Sequence, residues 1–314
     1  MKRIDFEHGS IPSNILNAAI PMLVAQLLSL LYNIIDRIYI ARIPHIGTTA
    51  LGAVGLCFPI IVIITAFSNL FGSGGAPLFS IRRGENNSRK ASEIMNTSYT
   101  MVCGGAIVLM VIGFLFARPI LRLFGASESA LVYAYPYLMI YLVGTLPSMI
   151  ATGMNSFINA QGYAMTGMTS VAIGAVANCI LDPVFIFVFS LGIRGAAIAT
   201  VIAQGISVVL CLIYIVTKAK ILLPEKRHFE PDRGLYMELL AQGFSMGFMS
   251  SIIYVGSIVL QPGINSLGYE TIAGHTAARK LFSFSMMPLS SMAQAVNTYV
   301  AQNRGADNWE RVRK

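Results

Sequence analysis

The stretch Leu51–Phe79, LGAVGLCFPIIVIITAFSNLFGSGGAPLF, runs for 29 residues without a charged side chain. A helix crossing the hydrocarbon of a bilayer needs about 20 apolar residues. Open sheets cannot cross lipid because their edge N–H and C=O groups go unsatisfied, so the stretch reads as a membrane-spanning helix. Working outward, seven more stretches qualify: Ile15–Ile40, Met95–Ala117, Leu131–Met154, Met165–Phe189, Ile193–Thr217, Leu239–Ile264 and Thr271–Ala301. The composition agrees. Of 314 residues, 55% are apolar and 11% charged, against about 25% charged in a soluble domain, and the mean hydropathy is +0.67. No segment could supply a polar coat, which excludes a soluble enzyme, a disordered tail and a fibrous protein. The first apolar run far exceeds a signal-peptide core of about 7–15 residues, so no cleavable leader is expected. Cys57, Cys103, Cys179 and Cys211 each stand alone in an apolar stretch, which argues against disulfides and structural metal.

The net charge of +8 follows the spans. One side of the membrane collects Lys2, Arg3, the pairs at 82–83 and 89–90, five cations between Lys218 and Arg233, and Arg304, Arg311, Arg313 and Lys314, making 15. The other side has 4: Arg42, Arg118, Arg122 and Arg194. This bias places the N-terminus in the cytoplasm of a multi-pass protein of the plasma (bacterial inner) membrane, and makes the charge a topology signal with no nucleic-acid partner implied.

An offset of 221 residues superimposes Ile46-Gly47 on Leu267-Gly268, Arg83-Gly84 on Arg304-Gly305 and Asn87 on Asn308. The offset holds six spans, an even number, so the two copies share one orientation. The expected fold class is an all-α integral membrane bundle of two parallel six-helix repeats, the second incomplete. The expected organisation is an N-lobe of six spans over 1–217, a cytoplasmic inter-lobe loop over 218–236, and two spans of a C-lobe over 237–314. On this reading the chain is truncated after its eighth span.

Only two of the fourteen acidic residues, Asp36 and Asp182, lie well inside spans. A carboxylate at bilayer depth costs several kcal/mol, so it is a functional candidate by default. At 1.5 Å per residue both fall about 8–11 Å below the outer boundary. Tyr137 and Thr200 reach the same layer. Asn178 is one turn from Asp182 on the same helix face, and Asn33 one turn from Asp36. Carboxylate, amide and hydroxyl oxygens are hard ligands suited to a small cation, either a Na⁺ ion at Asp36, Asn178, Asp182 and Thr200 or a proton. The competing readings are an Asp-Pro helix break at Asp182-Pro183 and an ion pair of Asp36 with Arg37. Prolines within the spans imply kinks. Met246, Met249, Met286, Met287 and Met292 could line an adaptable pocket, and Arg279, beside Lys280 and near His275, could face a water-filled cavity. HExxH, GxSxG and CxxC are absent, so an enzyme has no residues to stand on and no cofactor is expected beyond the coupling ion.

The order of Leu31-Tyr-Asn-Ile-Ile-Asp36, Gly72-Ser-Gly-Gly-Ala-Pro77, Arg83-Gly84, Asn178-Cys-Ile-Leu-Asp-Pro183 and Gly192-Ile-Arg-Gly-Ala-Ala-Ile-Ala-Thr200 resembles the multidrug and toxic compound extrusion (MATE) family along the whole chain. The resemblance implies a twelve-helix, two-lobed antiporter that exchanges Na⁺ or H⁺ for organic, often cationic, drugs. It also implies an N-lobe cation site at Asp36, Asn178, Asp182, Thr200 and Tyr137. Two departures stand out. The acid nearest span seven is Glu238, at its start, and Ser257 occupies the repeat equivalent of Asp36. The expected partners are small organic cations or drugs and membrane lipids, with the protein acting as a monomer. The alternatives are a lipid-linked precursor flippase, which requires a large basic cavity, and a membrane receptor or subunit that does not transport.

The charge asymmetry predicts the labelling of single cysteines in a background stripped of the native four. Asn86→Cys should react with an impermeant thiol reagent only after permeabilisation, and Ser127→Cys in intact cells. The opposite pattern would invert the topology.

Overall fold

The computed structural model describes residues 3–217, 232–266 and 268–314, with only part of the side chains within 246–276. Every regular element among the described residues is helical: α1 (Ile11–Ala41), α2 (Gly47–Gly84), α3 (Ser88–Leu123), α4 (Glu128–Val143), α5 (Thr145–Ala160), α6 (Ala164–Pro183), α7 (Ile193–Thr217), α8 (Arg233–Ser266), α9 (Tyr269–Gly305) and the short α10 (Trp309–Arg313). Within 1–217 five helices are long and apolar enough to cross a membrane, and the bent pair α4 and α5 makes a sixth. Helices α8 and α9, of 34 and 37 residues, reach about 50 Å at 1.5 Å per residue, well beyond a hydrocarbon core of about 30 Å. Large apolar side chains such as Leu115, Leu123 and Val188 are 69%, 82% and 74% exposed, as lipid-facing positions require. The inter-lobe loop expected over 218–236 falls mostly on 218–231, outside the described residues. Helix α8 has already begun at Arg233.

The fourth span is not the continuous helix expected over Leu131–Met154. It breaks at Gly144 with a bend of 51°. A Cβ on Gly144 would meet the Val201 and Gln204 side chains at 2.7 and 2.8 Å, so α7 can lean into the elbow only because that side chain is missing. Pro147 follows in the first turn of α5, where its lost N–H has no helical partner to forgo. The Asp-Pro step behaves as read: α6 ends at Pro183 and gives way to a wide π turn, Val184–Val188, closed by Phe189 N–H donating to the Val184 carbonyl at 2.9 Å.

The 221-residue offset is visible in the backbone. Helices α2 and α9 both stop at the glycine of an Arg-Gly pair, and the residues two further on, Asn86 and Asp307, take left-handed φ values of 56° and 55°. The next residues, Asn87 and Asn308, each accept a hydrogen bond from the main chain three positions on, Lys90 N at 3.1 Å and Arg311 N at 3.4 Å. The two helix ends also touch reciprocally. A Cβ on Gly84 would collide with the Gln302 carbonyl, and one on Gly305 with the Ile81 carbonyl. Positions 81 and 302 are themselves one offset apart.

An N-terminal strap, residues 3–10, crosses the same end of the bundle. Ile4 N–H donates to the Gly162 carbonyl at 3.0 Å and Arg3 Nε to the Gln161 carbonyl at 3.2 Å. Gly162 is at φ 89°, and a Cβ there would also strike the Ile4 carbonyl. On the other side the Phe6 carbonyl accepts from Asn303 Nδ2 at 3.0 Å, and the Gly9 carbonyl from Arg311 Nη1 at 3.0 Å. Phe6 is 1% exposed and meets Tyr299 edge to face, with centroids 6.4 Å apart. The strap therefore ties the α5–α6 turn to α9 and α10.

Because backbone atoms meet at the Gly84 and Gly305 crossing, flexible side chains cannot give way. Gly305→Val should cost about 1–3 kcal/mol, read as a lowered thermal midpoint in detergent. Gly104→Val, where open space awaits a Cβ, should cost less. Equal effects would contradict the crossing.

Candidate functional site

Helix α1 supplies Asp36, and the last turns of α6 supply Asn178 and Asp182. The first turns of α7, returning after the π turn, supply Thr200. The carboxyl groups of Asp36 and Asp182 lie within electrostatic reach of each other. Asp182 is fully buried and Asn178 is 2% exposed. Asn178 Nδ2 donates to Asp182 Oδ1 at 3.3 Å and lies 3.5 Å from Thr200 Oγ1. The Thr200 hydroxyl donates to the Ala196 carbonyl at 3.0 Å, leaving its lone pairs facing the amide. Arg37 does not pair with Asp36; its guanidinium sits over the Phe58 ring, 5.7 Å from the centroid.

Three buried oxygens in this cluster lack a hydrogen-bond donor: Asp36 Oδ1, Asp182 Oδ2 and Asn178 Oδ1. All three are acceptors, so the cluster is short of positive charge. Two like charges repel in a poorly screened interior, and a proton or a small cation between them relieves the repulsion. The donor set of two carboxylates, an amide oxygen and a hydroxyl is a hard-oxygen set and fits such an ion. Tyr137 is 3% exposed and within electrostatic reach of both carboxylates. Its observed contact is a stacked pair with Tyr141, centroids 6.2 Å apart and planes at 18°. It walls the cluster, and the chain of hydrogen bonds runs through Asn178 and Thr200.

Beside the carboxylates lies a cavity of about 580 Å³ enclosed by α1, α2, α5, α6, α7 and α9. Asn178 and Thr200 form part of its wall, whereas Asp36 and Asp182 stand behind them. Its polar lining is amide and hydroxyl, including Asn33, Asn155, Asn159 and Gln204, with no charged side chain among the described lining residues. The flippase alternative needs a basic cavity and finds no lysine or arginine there.

The candidates for the cavity fare differently. Asn33 lines it and donates to the Ser29 carbonyl at 2.7 Å. Met286 does not; it is 38% exposed, and Met287, 100° further round the helix, takes the place instead. Arg279 is exposed and absent from the lining. The side chains of Met246 and Met249 lie outside the described residues. Sequence reasoning missed Asn155, Asn159 and Gln204. The first two stand at i and i+4 on α5, just past the expected end of the fourth span at Met154, and that spacing marks one helix face.

A bundle of apolar helices, a deep carboxylate pair and an adjoining polar cavity define a polytopic membrane transporter. The family model MatE matches residues 21–184 and 245–314, and the chain belongs to that family, the multidrug and toxic compound extrusion transporters. The chain is 27% identical over 315 aligned residues to the probable multidrug resistance protein YpnP of Bacillus subtilis (strain 168), covering 99% of this chain and 69% of that protein. It is 26% identical to the multidrug export protein MepA of Staphylococcus haemolyticus (strain JCSC1435), covering 95% and 66%. The chain thus spans about two thirds of the length of these relatives. Among solved structures, the outward-facing conformation of a multidrug resistance MATE family transporter of the MOP superfamily superimposes with a TM-score of 0.89, at 23% identity, over 100% of this chain and 69% of that one. That likeness establishes the shared fold.

Asn178 is the donor to Oδ1 of the fully buried Asp182 carboxylate. Asn178→Leu should therefore destabilise the protein by about 1–3 kcal/mol, seen as a lower thermal midpoint. An unchanged midpoint would show that the hydrogen bond carries no stability.

Proposed function

We propose that the protein works in a cation-coupled antiporter that exports organic, often cationic, compounds by alternating access. Residues 1–217 form one lobe and 237–314 the beginning of a second, with the N-terminus in the cytoplasm of a bacterial inner membrane. The coupling ion, Na⁺ or H⁺, is the cargo of the Asp36 and Asp182 pair, with Asn178 and Thr200 as neutral ligands and Tyr137 as a wall. The observation that carries this reading is the trio of donorless oxygens on Asp36, Asp182 and Asn178. A transmembrane carboxylate without a counter-charge is expensive, and two within reach of each other are tolerated where an ion visits.

The drug occupies the neighbouring cavity. Asn155 Oδ1, Asn159 Oδ1 and Gln204 Oε1 are also buried without donors, and such oxygens accept from ammonium or amide N–H groups of a ligand. Met22, Met168 and Met287 give the walls the adaptability that chemically varied substrates need. Asn178 and Thr200 touch both compartments, so loading the carboxylate pair reorients groups that line the drug cavity. Coupling requires the ion and the drug to favour different conformations, since equal affinity for both would shift nothing. The strap and the Gly84–Gly305 crossing close the N-terminal end in the conformation seen here, and must separate for access from that side. The protein acts as a monomer, each lobe bearing on the other.

In everted vesicles carrying the protein, Asp36→Asn and Asp182→Asn should each abolish ion-driven efflux of a fluorescent organic cation while leaving membrane insertion unchanged. Imposing Na⁺ and pH gradients separately identifies the ion. Robust efflux by both variants would overturn the scheme.

A further inference from the structure

The chain places only four cationic side chains at the membrane face opposite the strap, and three of them converge. Arg118 near the end of α3, Arg122 one turn further on, and Arg194 in the first turn of α7 line a pocket of about 380 Å³. Positive charge is scarce on this face, so its concentration at one point is not a product of topology. Arg122 is compensated by Glu128, whose Oε1 accepts from Nη2 at 2.8 Å. Arg118 lies over the Tyr135 ring, 4.8 Å from the centroid, and makes no ion pair among the described residues. Arg194 makes no ion pair among the described residues, and the α7 N-terminus adds its dipole to the same spot. The pocket therefore carries an excess of two positive charges.

What surrounds the charges is apolar. Val132, in the pocket wall, is 65% exposed, and Leu115, one turn deeper than Arg118 on the same face of α3, is 69% exposed. We propose that this pocket binds the phosphodiester headgroup of an anionic phospholipid, with the acyl chains lying along Val132 and Leu115. Arginine forks match phosphate oxygens bidentately, and basic pockets between transmembrane helices suit anionic headgroups. A free phosphate would satisfy the arginines and leave the apolar wall unused. The lipid would tie α3 and α4 to the start of α7, only six residues before Thr200, and so brace the loop that carries the chain from Asp182 to Thr200.

The test is lipid retention by the purified full chain in detergent, read by native mass spectrometry with phosphatidylglycerol, with phosphatidylcholine, and with soluble glycerol phosphate as competitor. Wild type should retain phosphatidylglycerol in preference to phosphatidylcholine, and millimolar glycerol phosphate should not displace it. The Arg118→Gln/Arg194→Gln double variant should lose retention at least ten-fold, and Arg42→Gln, on the same face but outside the pocket, should retain it fully. If the double variant does not fold, the exposed Arg194→Glu single variant carries the same expectation. Undiminished retention in these variants, or equal retention of phosphatidylcholine, overturns the proposal. Displacement by glycerol phosphate would reassign the pocket to a soluble phosphate ester and overturn the lipid assignment.

Discussion

The rest of the structure is arranged around two carboxyl groups that approach each other inside an apolar bundle. Asp36 and Asp182 come from α1 and α6, which lie against each other along much of their length. Their approach costs repulsion and desolvation that no lysine or arginine offsets by an ion pair among the described residues, since Arg37 sits over Phe58 and acts on Asp36 only through its field. The neighbours answer with neutral groups: an amide that donates to Asp182, a threonine whose hydrogen is committed to a carbonyl, and a buried tyrosine pair. Such surroundings hold the carboxylates in place without neutralising them. That combination suits reversible binding of an ion, because a permanent counter-charge would occupy the site for good.

Much of this was legible in the sequence. Hydrophobic stretches of about 20 or more residues fix helices in lipid almost without competition, and counting 1.5 Å per residue brought Asp36 and Asp182 to one depth. Depth alone does not give the direction of a side chain: Tyr137 shares the layer and lies within electrostatic reach of both carboxylates, while its ring stacks on Tyr141. The same limitation separates Met286 from Met287. The break at Gly144 escaped because an apolar run reads as continuous whatever its bend, and the Val201 and Gln204 side chains that demand a glycine there are far away in sequence. The strap is invisible for a different reason: its residues are mostly polar and lack periodicity, and their bonding partners lie on the α5–α6 turn, α9 and α10.

The repeat has a physical meaning beyond its origin. Two copies of an Arg-Gly helix end, each followed by a left-handed residue and an asparagine cap, approach so closely that each glycine admits the other's carbonyl. Together with the strap they close one end of the bundle by backbone contact, hydrogen bonds and a small apolar cluster in which Phe6 and Tyr299 pack with Ala18, Met22 and Ala295. The cavity behind it has carboxamide and hydroxyl groups in its walls and no charged side chain among the described lining residues.

The central claim, that Asp36 and Asp182 act as one unit, is tested most directly by a double-mutant cycle on thermal stability in ion-free detergent. Asp36→Asn, Asp182→Asn and the double variant would be compared with wild type. Groups in contact show coupling of about 0.5–3 kcal/mol. The account predicts that either single neutralisation relieves most of the repulsion and that the second adds little, giving strong non-additivity. Effects that simply sum, to within about 0.5 kcal/mol, would show that the two carboxylates do not share a pocket.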